Sequence, residues 1–521
     1  MKSKRLLPIA AAAVLICGAA FAGCSMPNKN SIDQGGKTVF PVSAYVDDLA
    51  KCMGDVMPFY DNGVMNIYHL QDTTGSNSLF YHPISRLTTT DYVNYTDCGI
   101  SLNYDDIDTN PNATSSPDAA LGTGSVIKDK EGNYHFFYTG HNDHGQEYGL
   151  EYNEVIRHAK SYDNQTTWVK DADDENKDYE LNLYGGENDF RDPYVYYDGD
   201  DDVYYMLVTT RDYGHGVIKR YAASSLDART EEWEYKGVFF RNDDGDYNME
   251  CPSFVEYNGY YYLAYSEQGA NRVTHYRYKT EKNGEWKKFA LDSIDNSGFY
   301  AGRLEKAGDE LYAFAWCARL SGGTTGGFDW GGNLVTHKLV QASNGELRAV
   351  MPESFKEAFS TQVKYRFGGG THDEYKEIAF TGEGFSSRSA EKLGRHVTRV
   401  SFNVCPEDYN GDFGITFALD GIYHNRLGQS LIAFDTKNSK IACYNSVASI
   451  LRYGPSLASV PFVFTKGKEY NVDLIIDGEV LTVYFDNAVA LTARFSGIQR
   501  KNFAFYSNGC KAQVKEINFY E

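Results

Sequence analysis

The sequence predicts an all-β protein, and three observations support this fold class. The 521-residue chain is rich in residues favoured in strands and turns, with 42 Tyr, 30 Phe and 49 Gly. A short turn followed by an aromatic strand recurs along the first two thirds of the chain. The last third alternates apolar and polar residues with a period of two. A chain of this length is expected to form two domains.

The recurring unit is a Gly-containing turn with Asp, Asn or Glu, followed by a strand rich in Tyr and Phe. The five turns and strands are 61–63 with 66–70, 131–133 with 134–140, 198–200 with 203–208, 258–259 with 260–265, and 308–309 with 311–316. Their spacing fits one four-stranded sheet per copy. We therefore predict a five-bladed β-propeller over residues 45–345, with its sheets stacked around a central channel. A β-sandwich with regular hairpins is the alternative.

The repeat ends near residue 345, and residues 346–356 are predicted to be a junction. Longer alternating strands follow, for example over residues 414–419, 472–476 and 481–485. This pattern is typical of a β-sandwich, which we predict for residues 356–521.

The N-terminus predicts export. Basic residues at positions 2, 4 and 5 precede an apolar stretch over residues 6–22, and Phe21-Ala22-Gly23-Cys24 resembles a bacterial lipobox. We predict a lipoprotein signal peptide over residues 1–24, lipidation of Cys24 and a polar tether over residues 25–44. The protein would then be extracytoplasmic and attached to the membrane only through the lipid on Cys24. Plain secretory cleavage is the alternative and would give a secreted protein.

Charge and cysteine spacing exclude several functions. The net charge of -21 leaves no basic patch for phosphate backbones, so we predict no nucleic-acid partner. The seven cysteines after Cys24 form no CxxC pair, so neither a metal site nor a cofactor is predicted. No disulfide pairing is predicted.

Three carboxylates precede the aromatic strands at a similar distance. Asp55, Asp192 and Glu250 are each followed within three residues by Pro and then by an aromatic residue, while the second copy carries Ser125 instead. Corresponding positions in successive blades face one axis, so these acids are predicted to converge on one pocket.

Converging carboxylates suit the cleavage of a glycosidic bond, which needs one ionised and one protonated acid. The apolar neighbours Met249 and Cys251 would raise the pKa of Glu250 and make it the acid. Arg191 would hold Asp192 ionised, which suits an acceptor for substrate hydroxyls.

Several motifs resemble glycoside hydrolase family 32, the invertase, inulinase and levanase family, and the resemblance covers nearly all of the chain after residue 45. Arg191-Asp192-Pro193 resembles the family's transition-state motif, and Glu250-Cys251-Pro252 resembles its acid/base motif. Further similar segments are 121–125, 137–140, 298–301 and 481–519.

The resemblance implies a five-bladed propeller with a β-sandwich and a retaining double displacement that releases β-fructofuranosyl units from sucrose, inulin or levan. Asp55 would be the nucleophile, Glu250 the acid/base and Asp192 the acceptor for fructose hydroxyls. The two reacting carboxyls would stand about 5 Å apart. One motif departs from the family: Gly54-Asp55-Val56-Met57-Pro58 replaces the usual Asn-Asp-Pro-Asn-Gly, so contacts to the fructose ring are expected to differ.

Further residues are predicted at the substrate site. Asp61 is a rival nucleophile on local sequence, although its Asp-Asn-Gly turn indicates a structural role. The predicted substrate contacts are Arg191, Gln71, Ser125, Tyr81, Tyr300 and Trp316, with His82 and Trp330 as weaker candidates.

Three other functions remain open from the sequence. A fructosyltransferase would share every catalytic residue. An arabinan- or xylan-debranching enzyme would use the same propeller with inverting chemistry and a wider carboxylate gap. A surface lipoprotein that binds glycans without cleaving them would have no need of three acids.

Overall fold

A computed structural model describes residues 37–42, 52–71, 82–105, 114–186, 189–242, 248–268, 272–321, 327–365, 377–392, 398–418, 430–444, 456–495, 498 and 502–521. Within these ranges the chain is almost entirely β-structure, which confirms the predicted fold class. The only α-helix among them is the short α1, Glu353–Ala358. Three 3-10 turns are formed by Gly145–Tyr148, Asp171–Asp173 and Thr230–Glu232.

The first nineteen strands form antiparallel sheets in chain order. They are β1 Met53–Asp61, β2 Val64–Gln71, β3 Ile84–Thr89 and β4 Tyr95–Leu102; β5 Ala120–Lys128, β6 Tyr134–His141, β7 Glu154–Ser161 and β8 Val169–Lys170; β9 Arg191–Asp198, β10 Val203–Asp212, β11 His215–Ala223 and β12 Glu234–Arg241; β13 Met249–Tyr257, β14 Tyr260–Glu267 and β15 Thr274–Lys279; and β16 Tyr300–Ala307, β17 Glu310–Ser321, β18 Gly327–Gln341 and β19 Leu347–Val350. A single pairing, Met53 with Gly332, joins the β16–β19 group to the β1–β4 group in one sheet.

The first strands of these five groups, β1, β5, β9, β13 and β16, contact one another in cyclic order and back to β1. We call them the inner strands. Each predicted repeat turn leads from an inner strand to the next strand of its group. At the first turn Asn62 and Gly63 both have positive φ, 50° and 83°, as a two-residue hairpin turn requires.

The remaining strands form two sheets. One contains β20 Gln362–Val363, β21 Glu377–Thr381, β23 Arg399–Pro406, β28 Tyr470–Asp477, β29 Val480–Phe485, β30 Val489–Arg494 and β32 Lys511–Tyr520; the other contains β22 Phe385–Lys392, β24 Asp412–Ala418, β25 Ser430–Asp435, β26 Lys440–Tyr444, β27 Ala458–Pro461 and β31 Asn502–Asn508. Side chains from both sheets share one apolar core, to which Phe402, Phe434 and Phe505 belong. The predicted junction is itself structured, because β19 pairs with β18 and is followed by α1.

Part of the predicted tether is also packed into the fold. Thr38, Val39 and Phe40 are buried, and the Thr38 hydroxyl and Val39 N–H both donate to Asp477 in β28. Residues 37–42 therefore connect the last sheets to the inner-strand region, where Leu334 N–H donates to the Pro41 carbonyl.

The predicted signal peptide, Cys24 and the tether up to residue 36 lie outside the described residues. Among the residues that the structure describes, no helix is long and apolar enough to cross a membrane. All seven cysteines in the described part are free thiols.

Candidate active site

Each inner strand carries a β-bulge at the same place. Gly54 pairs with Leu70 and Val56 with His69, so Asp55 is the extra residue in β1. The same shift recurs in the other four inner strands. The bulged residues are Asp55, Thr123, Asp192, Cys251 and Ala301, and φ is positive at all of them except Thr123. Bulges of this kind turn the backbone locally and re-aim the side chain.

The bulges correct the predicted alignment of the carboxylates. Asp55 and Asp192 do occupy corresponding positions, but Glu250 lies one residue before its bulge, at Cys251. Glu250 therefore corresponds to Arg191 and Tyr300, and both of these contact it. In the second group Thr123, and not Ser125, corresponds to Asp55. The extra residue of a bulge shifts the pairing register of the strand by one residue. No sequence motif marks the position of the bulge, so this shift could not be predicted.

Asp55 is half-buried and held at both carboxylate oxygens. Thr123 Oγ1 donates to Asp55 Oδ2 at 3.0 Å, and Trp316 Nε1 donates to Asp55 Oδ1 at 3.1 Å. Burial, followed by the like charge of Glu250, raises the pKa of Asp55, whereas these two hydrogen bonds and the charge of Arg303 lower it. The carboxylate is thus fixed in one orientation.

Glu250 has three side-chain donors. Arg191 Nη2 lies 3.0 Å and Gln268 Nε2 2.6 Å from Glu250 Oε1, and the Tyr300 hydroxyl donates to Oε2. Burial and the Glu250 charge raise the pKa of Tyr300, so its hydroxyl keeps its proton. Donors on two neighbouring inner strands therefore aim this carboxyl.

Asp192 lies between the other two acids in the hydrogen-bond network. Its side chain accepts the N–H of Cys251 at 2.8 Å, and its own N–H donates to Thr139 Oγ1 at 3.0 Å. Burial raises the pKa of Asp192 to about 7 against the lowering effect of Arg191, and the charges of Glu250 and Asp55 add to the rise. Arg191 lowers the pKa of Asp192, as predicted, but the effect of burial is larger. The Arg191 guanidinium is turned instead toward Glu250, Glu154 and Asp189.

The unusual Gly54 is explained by Trp330. A Cβ atom at residue 54 would lie 2.2 Å from the Trp330 indole, so only glycine fits beside this ring. Trp330 also stacks on His82, with ring centres 4.2 Å apart. The space beside the candidate nucleophile is therefore shaped by an aromatic pair.

The remaining predicted residues have varied positions. Trp316, only 1% exposed, holds Asp55 with its indole N–H. Gln71 is buried and accepts the Ser85 hydroxyl, and Ser125 accepts the Val195 N–H at 3.0 Å. Asp61 contacts Lys128 and Tyr134 at the hairpin end of β1, and Tyr81 lies outside the described residues.

Sequence reasoning missed four members of the network: Thr123, Thr139, Gln268 and Arg303. Arg303 is 1% exposed, and its Nη1 donates to the Gly124 carbonyl at 2.7 Å, next to Thr123. Thr123 lies in the segment 121–125, which resembles the family, but its correspondence to Asp55 becomes visible only from the bulges. Thr139 lies in the similar segment 137–140, whereas Gln268 and Arg303 belong to no motif.

Among the residues that the structure describes, one group of side chains has ligand atoms close enough to hold a metal ion: His135, His158 and Asp227, all within 4.8 Å. Two ammonium groups already neutralise Asp227, because Lys160 Nζ and Lys177 Nζ lie 2.6 Å and 2.9 Å from it. His158 is held by Asp171 at 2.7 Å. This network is better described as a buried ion-pair cluster of the second and third sheets.

The fold and the site together define a class of protein. An all-β chain that brings three carboxylates together, with two of them fixed by different donors, has the groups that a glycosidase needs. The chain belongs to glycosyl hydrolase family 32, whose N-terminal domain matches residues 58–346. The match begins just after Asp55 and includes Asp192 and Glu250.

Individual relatives are more distant. A sucrose-6-phosphate hydrolase from Vibrio alginolyticus is 26% identical over 230 residues, which are 42% of this chain and 40% of that protein. The structure of sucrose-6-phosphate hydrolase from Lactobacillus gasseri matches with a TM-score of 0.66 and 16% identity over 94% of each chain. The exo-inulinase from Aspergillus awamori matches with a TM-score of 0.65 and 13% identity, over 90% of this chain and 96% of that chain. These structures support a β-propeller-type fold.

Proposed function

We propose that this protein is a retaining β-fructosidase that releases fructofuranosyl units from sucrose or from fructans such as inulin and levan. The observation that carries the proposal is that two acids of the site, Asp55 and Glu250, are held by different sets of donors. Asp55 is fixed at both oxygens by neutral donors, and Glu250 is aimed by Tyr300, Arg191 and Gln268. Family membership and the activities of the relatives support the substrate class.

The proposed mechanism has two steps. Asp55 attacks the anomeric carbon of the fructosyl unit while Glu250 donates its proton to the leaving oxygen. Glu250 then takes a proton from water, and this water cleaves the fructosyl ester on Asp55. Asp192 hydrogen-bonds the sugar hydroxyls near both acids.

The proposal extends to the domains and to the N-terminus. The cyclic contacts of the inner strands support a five-bladed propeller over residues 45–345, and the shared core of the last two sheets supports a β-sandwich over residues 356–521. The sequence of residues 1–24 supports a lipid anchor at Cys24.

The experiment measures free fructose and larger oligosaccharides after incubation with sucrose, inulin, levan and arabinan. We expect fructose from at least one of the first three. Release of arabinose alone would contradict the proposal, and oligofructosides without free fructose would indicate transfer. In a reaction with methanol, retention predicts the β-anomer of methyl fructofuranoside, and the α-anomer would contradict the double displacement.

A further inference from the structure

A second cavity lies at the opposite end of three inner strands. It has a volume of about 410 Å³ and is lined by the last residues of β9, β13 and β16, among them Asp198, Glu256 and Glu305. Asp192 and Glu250 lie near the first residues of β9 and β13, and Asp55 lies on β1, which does not line this cavity. Asp192 and Asp198 are six residues apart, which corresponds to roughly 20 Å along a strand. The cavity is therefore separate from the candidate active site.

Two cations line this cavity, Arg220 and Lys279, and Lys279 Nζ also donates to the Lys282 carbonyl at 2.5 Å. Arg220 and Lys279 have no ion-pair partner within 4 Å among the described residues, and Lys279 is only 6% exposed. Both lie against one ring, with Arg220 Cζ 5.5 Å and Lys279 Nζ 5.3 Å from the centre of Phe239. Burial and then the Arg220 charge lower the pKa of Lys279 to about 8. Buried charges are normally paired with an opposite charge. A bound anion would therefore neutralise Arg220 and Lys279.

The acidic residues of the lining do not oppose an anion strongly. Asp198 is neutralised by Lys282 at 2.7 Å. Burial raises the pKa of Glu305 to about 8, so this carboxyl is largely protonated at neutral pH and can donate a hydrogen bond. Asp200 and Glu256 are exposed at the rim.

Aromatic rings form the rest of the wall. Tyr196 and Phe254 have ring centres 4.9 Å apart, and Phe254 lies parallel to Tyr261 at 6.0 Å. Such faces bind the C–H surface of a sugar ring or another flat group. The cavity volume lies within the range of small-molecule sites.

We propose that this cavity, with Arg220, Lys279 and the Tyr196–Phe254–Tyr261 wall, binds a phosphate monoester carried on a ring of monosaccharide size. The phosphate lies against the two cations, where each can donate charge-assisted hydrogen bonds. The ring lies against the aromatic wall, with Glu305 beside its hydroxyls. This site is independent of the chemistry at Asp55 and Glu250.

Calorimetric titration of the full-length protein tests the proposal, with glucose 6-phosphate, inorganic phosphate and glucose as the probes. The variants are Lys279→Met and Arg220→Met, and Lys236→Met is the matched control because Lys236 is exposed, pairs with Glu234 and does not line the cavity. Lys279 Nζ also lies 4.6 Å from the Trp286 ring, so tryptophan emission is a local second readout.

We expect glucose 6-phosphate to bind more tightly than inorganic phosphate, and glucose not to bind. Both cavity variants should weaken binding by at least about tenfold, while Lys236→Met and the rate of fructose release remain unchanged. The proposal would be overturned if neither glucose 6-phosphate nor inorganic phosphate binds. Binding that both cavity variants leave intact would overturn it as well, because the ligand would then occupy another site. Melting curves identify a variant that fails to fold. The phosphate binding of the other cavity variant then tests the proposal.

Discussion

At the scale of single residues, the orientation of Asp55 depends on two donors from different strands. Trp316 reaches it from β17 and Thr123 from β5. Both donors favour the ionised carboxylate against the effect of burial. The ionised form is the one that a nucleophile needs.

Replacing Trp316 by Phe keeps an aromatic ring but removes the N–H donor. We expect kcat/KM for sucrose or inulin to fall by about ten- to a hundredfold, which corresponds to the loss of one hydrogen bond to a charged group. The acid limb of the pH profile should move to higher pH, because the pKa of Asp55 rises without this donor. Trp286→Phe is the control, since its N–H donates only to the Phe239 carbonyl. Identical profiles for both variants would contradict the role of Trp316.

Asp192 is expected to cost stability at neutral pH. Its pKa in the folded protein, about 7, lies above its ordinary value of 3.8, so the folded state binds more protons between these values. Stability contributed by this group is therefore lost as the pH rises from about 4 to 7. Asp192→Asn should raise the free energy of unfolding at pH 8 by up to about 4 kcal/mol and change it little at pH 4.

Denaturant unfolding of Asp192→Asn at both pH values checks this prediction. Asp309→Asn, on the exposed turn before β17, is the control. Fructose release should be lost in Asp192→Asn despite the added stability. A variant that is less stable than the parent at pH 8 would contradict the argument.

The candidate acids could be predicted from the sequence, and Arg191, Tyr300 and Trp316 were predicted as site residues, but not as hydrogen-bond donors to these acids. Asp55, Asp192 and Glu250 are marked by Pro and aromatic residues that follow them. Gln268 and Arg303 reach the site from positions that only the three-dimensional arrangement of the strands brings near. The orientation of Arg191 could not be predicted either. Its guanidinium pairs with Glu250 and not with Asp192, its neighbour in sequence.

At the scale of elements, the bulge in each inner strand determines which side chains enter the site. The five hairpin turns were predictable because Gly with Asp or Asn has a defined turn chemistry. The bulges were not, since residues as different as Asp55, Thr123 and Ala301 occupy the same bulged position.

Gly54→Ala tests the packing around the first bulge. The added methyl group would overlap the Trp330 ring, so the indole or the strand must move. We expect a loss of about 1–3 kcal/mol in the free energy of unfolding, together with reduced activity. Gly199→Ala is the control, because the nearest atom to its new Cβ is 3.8 Å away. Equal stability of both variants in thermal melts would contradict this description.

At the scale of the whole molecule, the last sheets are joined to the inner-strand region by a buried polar network. Asp295 accepts the Thr492 N–H at 2.9 Å and contacts His337 at 2.9 Å, and His337 also contacts the Tyr484 hydroxyl at 3.0 Å. Arg494 donates to the carbonyls of Cys317 and Ala318. The two parts are therefore expected to unfold together.

Asp295→Ala would leave several buried donors without an acceptor. We expect the free energy of unfolding to fall by about 3 kcal/mol or more. The single unfolding transition of the parent should separate into two in calorimetry, because the network joins the parts. Asp309→Ala, at an exposed turn, should melt like the parent. A parent protein that already shows two separate transitions would contradict the proposed coupling.

The change in repeat pattern near residue 345 predicts two parts, whereas nothing in the sequence predicts this interface. Its residues come from β18, β29, β30 and the segment before β16, which the sequence does not relate to one another. Burial of residues 37–42 was also missed, because the predicted tether extended over this segment although Val39, Phe40 and Val42 are apolar.

Covalent trapping tests the central claim most directly. Glu250→Ala, incubated with an activated fructosyl donor such as fructosyl fluoride, should accumulate the ester, because the base that activates water is missing. Peptide mass spectrometry after an acid quench is predicted to find one fructosyl unit on Asp55, and none in the double variant that also carries Asp55→Asn. A fructosyl ester on Asp61 or any other residue, or fluoride release without an ester on Asp55, would contradict the account.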